Sequence, residues 1–155
     1  MAEEALSKAL KYLGARMRSE YEVRRYLQTK GFASEDIEQA VSSLKEYNYL
    51  NDREYAGAFI RDRINFNPCG RKKIYAELRK RGVHPAVIEQ ALVENLCAET
   101  EAEMAVQAAL KHRSDNKEKM LRYLLGRGFT YQAAAGAWRE LANGADKNDR
   151  EQERF

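Results

Sequence analysis

Six cations fall within eleven residues of this chain: Arg71, Lys72, Lys73, Arg79, Lys80 and Arg81, with Glu77 the only acid among them. Arg61 and Arg63 lie just upstream. Guanidinium groups grip carboxylate or phosphate through paired hydrogen bonds, and lysines add less directional point charges. A cluster of this density therefore suits a polyanion or an acidic protein groove. Two weaker groups flank it: Arg24 and Arg25 toward the N-terminus, and Lys119, Arg122 and Arg127 toward the C-terminus. These thirteen residues are the candidate binding set.

Residues able to break bonds are missing from the pattern. His84 and His112 match no zinc spacing with each other or with Cys69 and Cys97. Gly70-Arg71-Lys72-Lys73 lacks the upstream glycine of a phosphate-binding loop. Cys69, beside Arg71 and Lys72, reads as an exposed loop thiol with no catalytic partner. The expectation is a protein that binds, without cofactor or metal, and not an enzyme.

The elements that carry these cations repeat. Val23 corresponds to Ile74 and Met120, Leu27 to Leu78 and Leu124, Lys30 to Arg81 and Arg127, and Gly31 to Gly82 and Gly128, in registers of 51 and 46 residues. Ile37-Glu38-Gln39-Ala40 recurs as Ile88-Glu89-Gln90-Ala91, and Trp138 falls in line with Val41 and Leu92 as a core position. Upstream, Ala5/Ala9/Leu13 corresponds to Ala56/Ile60/Ile64 and to Ala102/Val106/Leu110. A period near 50 residues, held at apolar positions and one glycine, marks stacked supersecondary units.

Each unit reads as three helices. In the first, an apolar stripe runs from Ala2 to Met17; Ser19 with Glu22 forms a capping box for a helix ending at Gly31; Ser34 caps the next. In the second, Asn51 opens a helix ending near Asn65, Arg71 to Arg81 makes the basic helix, and Pro85 sits in the first turn of a helix that runs without Gly or Pro to about His112. In the third, Asp115 with Glu118 makes a capping box and Thr130 caps the last helix. The predicted fold is all-α, an elongated, curved array of three tandem three-helix repeats at 2–50, 51–97 and 98–142, with a flexible polar tail at 143–155. Two unmatched cysteines suggest a reducing, cytoplasmic setting, and no apolar stretch approaches the roughly 18 residues of a membrane span. The nine tyrosines interleaved with arginines suit half-buried packing better than base stacking.

The basic helix ending Leu-x-x-Lys/Arg-Gly, the Ile-Glu-Gln-Ala helix, and Tyr49-Leu50-Asn51-Asp52-Arg53-Glu54-Tyr55-Ala56 together resemble the RecX family of bacterial recombinase regulators. So do Phe59-Ile60-Arg61-Asp62-Arg63 and the run from Gly70 to Val83, and the likeness extends over residues 5–141. Asn51 stands where the family usually has an acid, and Cys69-Gly70 where it usually has Gly-Pro. The resemblance implies a non-enzymatic modulator of RecA, acting in DNA repair and the SOS response. It implies binding in the groove of the RecA filament on single-stranded DNA, with inhibition of its ATPase, recombinase and coprotease activities. The implied partners are RecA, single-stranded and also double-stranded DNA, with no membrane and a monomeric protein. Asp52 is expected to cap or orient its own helix. A second reading stays open: a free-standing helical DNA-binding protein independent of RecA. The acidic third helices of the first two repeats weigh against it, since phosphates repel them.

Overall fold

The computed structural model describes the backbone of residues 1–153 and the side chains of residues 1–144. Among the described residues there are nine helices and no strand: α1 (Ala2–Ala15), α2 (Glu20–Thr29), α3 (Ser34–Glu46), α4 (Asp52–Phe66), α5 (Arg71–Lys80), α6 (Pro85–Asn95), α7 (Ala98–His112), α8 (Lys117–Gly126) and α9 (Tyr131–Glu153). They form two compact units. The first comprises Met1–Phe59 with Glu77–Ala91, and the second Ile60–Ala76 with the chain from Leu92 onward. The division passes through α4, α5 and α6, so each of these helices contributes one end to either unit.

In the first unit α1, α2 and α3 pack on one another. Ala5 and Ala9 from α1, Val23 and Leu27 from α2, and Ile37, Ala40, Val41 and Leu44 from α3 form the core, joined by Leu50. Small residues on α1 let the larger ones of α3 approach. Leu10 and Met17, expected on the buried stripe of α1, are instead largely exposed. Ser19 and Glu22 form the expected capping box. Its hydroxyl also donates to the Arg81 carbonyl at 2.6 Å, which anchors α2 to the turn after α5. That turn closes on Gly82 at φ 78, where a Cβ would overlap Tyr21 Cβ and Cγ.

In the second unit α7, α8 and α9 pack together around Met104, Ala105, Ala108, Ala109, Met120, Leu124, Phe129, Ala134 and Ala137. The N-terminus of α5 meets the α8–α9 turn: Gly70 N donates to Arg127 O at 2.9 Å and Lys72 N to Gly128 O at 3.0 Å. Gly128 has φ 87, and a Cβ there would overlap Lys73. A Cβ at Gly70 would overlap the Gly128 carbonyl, so two backbones touch where only glycine fits.

Several expectations are corrected. The run from Pro85 to His112 is two helices: Cys97 is extended and its thiol accepts from Thr100 N, capping α7 as a serine would. Ala33, not Ser34, is the N-cap of α3, and Asn116, not Asp115, that of α8. The stripe of α7 runs one residue ahead of the predicted one. Ala102 and Leu110 are exposed, while Glu101, Ala105 and Ala109 are buried. Trp138 is half-buried, and Ala134 and Ala137 form the core of α9. Cys69 is buried, whereas Cys97 is the exposed thiol. The backbone of α9 continues as helix through the expected tail to Glu153, since one glycine at 144 costs only about 1 kcal/mol and no proline intervenes.

Gly31 also has a positive φ, 84, but nothing lies within 4 Å of the place its Cβ would take. Gly31→Ala should therefore cost only the left-handed backbone penalty, about 1–2 kcal/mol. Gly82→Ala and Gly128→Ala should lose about 1–3 kcal/mol more through overpacking. Chemical denaturation of the three variants side by side measures the difference.

Candidate basic binding surfaces

A cation can serve a partner only if its own fold leaves it free, and the two units spend their cations differently. In the first unit Arg24 is occupied: its guanidinium donates to Glu20 at 3.0 and 3.1 Å and pairs with Glu38 on α3. The Glu38 hydrogen bond holds the Arg24 pKa up, against partial burial. Burial of Glu20 works against its charge, but hydrogen bonds from Lys45 and Arg24 keep its carboxyl below the usual range. Arg25 is exposed and donates to the Tyr21 hydroxyl at 3.0 Å. Arg79 reaches the Val83 carbonyl at 3.0 Å, and half-buried Arg81 donates to Glu77 O while lying over the Phe59 ring at 4.7 Å. Lys80 is exposed, and its side chain makes no hydrogen bond or ion pair among the described residues.

Asp52 does more than orient its own helix. Its carboxylate accepts from Glu20 N at 2.8 Å, so it caps α2 across the unit, while Asn51 caps α4 through Arg53 N and Glu54 N. Burial pushes the Asp52 carboxyl up, although the N–H bond opposes this. Tyr55 donates to Glu22 at 2.9 Å. Burial first, then this bond to a carboxylate, raises its hydroxyl to about 12. The aromatic residues of α1 and α2 are already stacked: Tyr12 lies on Tyr26 at 4.1 Å, with Arg18 over Tyr12 at 4.1 Å and Lys30 over Tyr26 at 5.6 Å. Each ring is thus already engaged by the other ring and by a cation. An apolar hollow of about 280 Å³, lined by Leu6, Leu10, Ser43, Leu44, Tyr47 and Tyr49, opens between α1 and α3.

In the second unit the fold takes up Arg71 and Arg127. Arg71 Nε pairs with Glu101, which is only 2% exposed, and Arg127 donates to the Pro68 carbonyl at 2.8 Å. The other Glu101 oxygen accepts from Thr130 N at 3.3 Å, at the start of α9. One buried carboxylate thus ties α7 to the N-termini of α5 and α9. A cavity of about 330 Å³ beside the pair is lined by Arg71, Ala98, Glu101, Ala102, Thr130, Gln132 and Ala133. Arg61 is exposed and holds Asn95 at 2.9 Å, and Arg63 and Lys73 are half-buried. Lys72, Lys119 and Arg122 are exposed, and their side chains make no hydrogen bond or ion pair among the described residues.

The binding set therefore divides into cations the fold engages and cations it leaves to solvent. Sequence reading missed Glu101, because the predicted register of α7 put Ala102 on the buried face. The apolar spacing of Met104, Ala105, Ala108 and Ala109 carried the signal that would have placed it. Among the described residues no group of three His, Cys, Asp or Glu side chains could hold a metal ion, and no helix is long and apolar enough to cross a membrane.

Comparison with known proteins places this geometry in context. Residues 5–44 match the first three-helix domain of RecX, and residues 51–92 the second. A regulatory protein RecX from Caldanaerobacter subterraneus subsp. tengcongensis is 37% identical over 130 residues, 83% of this chain and 66% of the relative. One from Pelodictyon phaeoclathratiforme is 35% identical over 153 residues, 96% of both chains. The chain thus spans about two thirds of one relative and nearly all of the other. The crystal structure of RecX from Lactobacillus salivarius superposes with a TM-score of 0.84 at 26% identity, covering 91% of this chain and 96% of that one.

Two measurements probe the polar anchors. Glu101→Ala removes the acceptor of both Arg71 Nε and Thr130 N and should cost about 1–3 kcal/mol, whereas Glu38→Ala, at an exposed carboxylate paired with Arg24, should change stability far less. Tyr55→Phe should cost about 1.5–3 kcal/mol at neutral pH. The folded hydroxyl sits at about 12 and the free one at 10.0, so its contribution is complete below pH 10.0 and lost as pH rises toward 12. The gap between wild type and Tyr55→Phe in denaturation curves should narrow over that window.

Proposed function

The chain belongs to the RecX family, and on that premise we propose that it is a regulator that binds the RecA filament on single-stranded DNA and mainly inhibits its ATPase, recombinase and coprotease activities. It acts in the cytoplasm as a binding protein and not as an enzyme. The observation that carries this reading is the set of cations that the fold does not consume. Lys72, Lys119 and Arg122 in one unit and Lys80 in the other are exposed, and exposed Arg25, Arg61 and Arg79 keep unused N–H donors beside their single hydrogen bonds. These seven make the contacts. Arg24, Arg63, Arg71, Lys73, Arg81 and Arg127 position the helices that present them.

The reading includes a third three-helix repeat formed by α7, α8 and α9. Gly128 takes the same positive φ as Gly31 and Gly82. Met120, Leu124 and Ala137 are buried, as are Val23, Leu27 and Ala40, and Ile74, Leu78 and Ala91. The repeats then run over 2–50, 51–97 and 98–142, and a tandem array of this kind suits a partner that is itself a repeating filament.

Filament binding and bare-DNA binding differ in a measurable way. Fluorescence anisotropy of labelled single-stranded DNA, with and without RecA, should show tighter binding to the filament than to the naked strand. Lys72→Ala/Lys119→Ala/Arg122→Ala should weaken filament binding at least tenfold. If the three side chains each neutralise a phosphate, it should also lower the salt slope by about 2. Equal affinity for bare strand and filament would instead support a free-standing DNA-binding protein.

A further inference from the structure

Both units contain one contact of the same kind. Ser19, the residue before α2, donates from its hydroxyl to Arg81 O, and the following turn packs on Gly82. Gly70, the residue before α5, donates from its N–H to Arg127 O, and Lys73 packs on Gly128. The packing residue shifts by one between the two, Tyr21 standing two residues after Ser19 and Lys73 three after Gly70. The residue before the helix gives the hydrogen bond, and the carbonyl preceding the turn glycine receives it. Ser19 and Gly70 are buried by this contact.

Each component exists once more without its counterpart. The Gly31 turn keeps the same positive φ, but nothing approaches it, and Lys30 and Gly31 are exposed. Asn116, the residue before α8, is also exposed, as are Lys117, Glu118 and Lys119. Asn116 Oδ1 accepts from Lys119 N, as Ser19 Oγ accepts from Glu22 N. The Asn116 amide group keeps its N–H donors, where Ser19 spends its O–H on Arg81 O. Charge favours a match as well: Lys30, beside the Gly31 turn, and Glu118, in the first turn of α8, carry opposite charges and both are exposed.

We propose that the α8 N-terminus of one molecule docks on the Gly31 turn of a second copy, Asn116 donating to Lys30 O and Glu118 facing Lys30. The interface rests on α8 being the equivalent of α2 and α5, that is, on the third repeat of the proposed function. It is heterologous, the two surfaces being different, so it links molecules head to tail rather than as a closed twofold pair. This replaces the monomer expected from sequence with a concentration-dependent self-association.

The test uses full-length protein with Cys97→Ser, which retains the cap of α7 and removes the exposed thiol. Lys30→Cys and Glu118→Cys are made in separate molecules, both at exposed positions. A short bis-maleimide should join them into a mixed dimer when they are combined, with far less product from either alone. An internal control carries Lys72→Cys and Arg127→Cys in one chain and should close intramolecularly. Closure of the control with no mixed dimer, and a constant monomer mass in sedimentation at rising concentration, would refute the self-association while leaving the repeats intact. Failure of the control to close would overturn the internal contact on which the docking is patterned, and the docking with it.

Discussion

At 2.6 Å the Ser19 hydroxyl meets the Arg81 carbonyl, and at 2.9 Å the Gly70 N–H meets the Arg127 carbonyl. Beside each bond stands a turn glycine with positive φ and no room for a side chain. The rest of either unit follows from this constraint. A helix ending in a left-handed residue exposes its last carbonyl groups. The start of another helix has N–H or hydroxyl donors to offer. Joining the two satisfies both at once, and only glycine lets the backbones come close enough. Once α2 is fixed in this way, Asp52 can cap it and Tyr55 can reach Glu22. Once α5 is fixed, Arg71 lies in reach of Glu101, and Glu101 in reach of the α9 N-terminus.

The same geometry sorts the charges. Arginine, with several fixed N–H donors, is the side chain that the fold recruits wherever a carboxylate or carbonyl must be met. Arg24, Arg71 and Arg127 are held in this way. Lysine, strongly hydrated and on a flexible stem, stays in solvent at 72, 80 and 119. A stretch that reads as uniformly basic thus becomes a scaffold of arginines carrying exposed lysines, joined by Arg122. Glu101 is buried while Arg71 stays partly in solvent, so the hydrogen bonds from Arg71 and from Thr130 N chiefly satisfy a carboxylate that would otherwise be stranded.

Much of the helical pattern was legible in sequence. The spacing of Val23 and Leu27, repeated by Ile74 and Leu78, predicts buried faces that are indeed buried. The glycines at 31, 82 and 128 predict helix ends at positive φ, as found. What sequence left hidden has physical reasons. Cys97 is a rare cap, and its thiol gives no familiar signal for a break between α6 and α7. The stripe of α7 is built on alanines, whose small size leaves the register poorly marked, so Glu101 looked solvated. In the candidate site, the sequence revealed where cations are dense but not which are occupied. Occupation depends on partners 14, 30 and 59 residues away, as for Arg24 with Glu38, Arg71 with Glu101 and Arg127 with Pro68. Gly82 and Gly31 look alike in sequence, yet only one is pinned by a neighbour.

Regulation of a filament is the central claim, and ATP hydrolysis by RecA on single-stranded DNA reports on it most directly. The protein is titrated in at less than one molecule per RecA. A regulator that blocks growth or triggers loss of subunits should strongly inhibit hydrolysis below stoichiometry. Unchanged hydrolysis at equimolar protein, together with tight, salt-sensitive binding to bare DNA, would contradict the account.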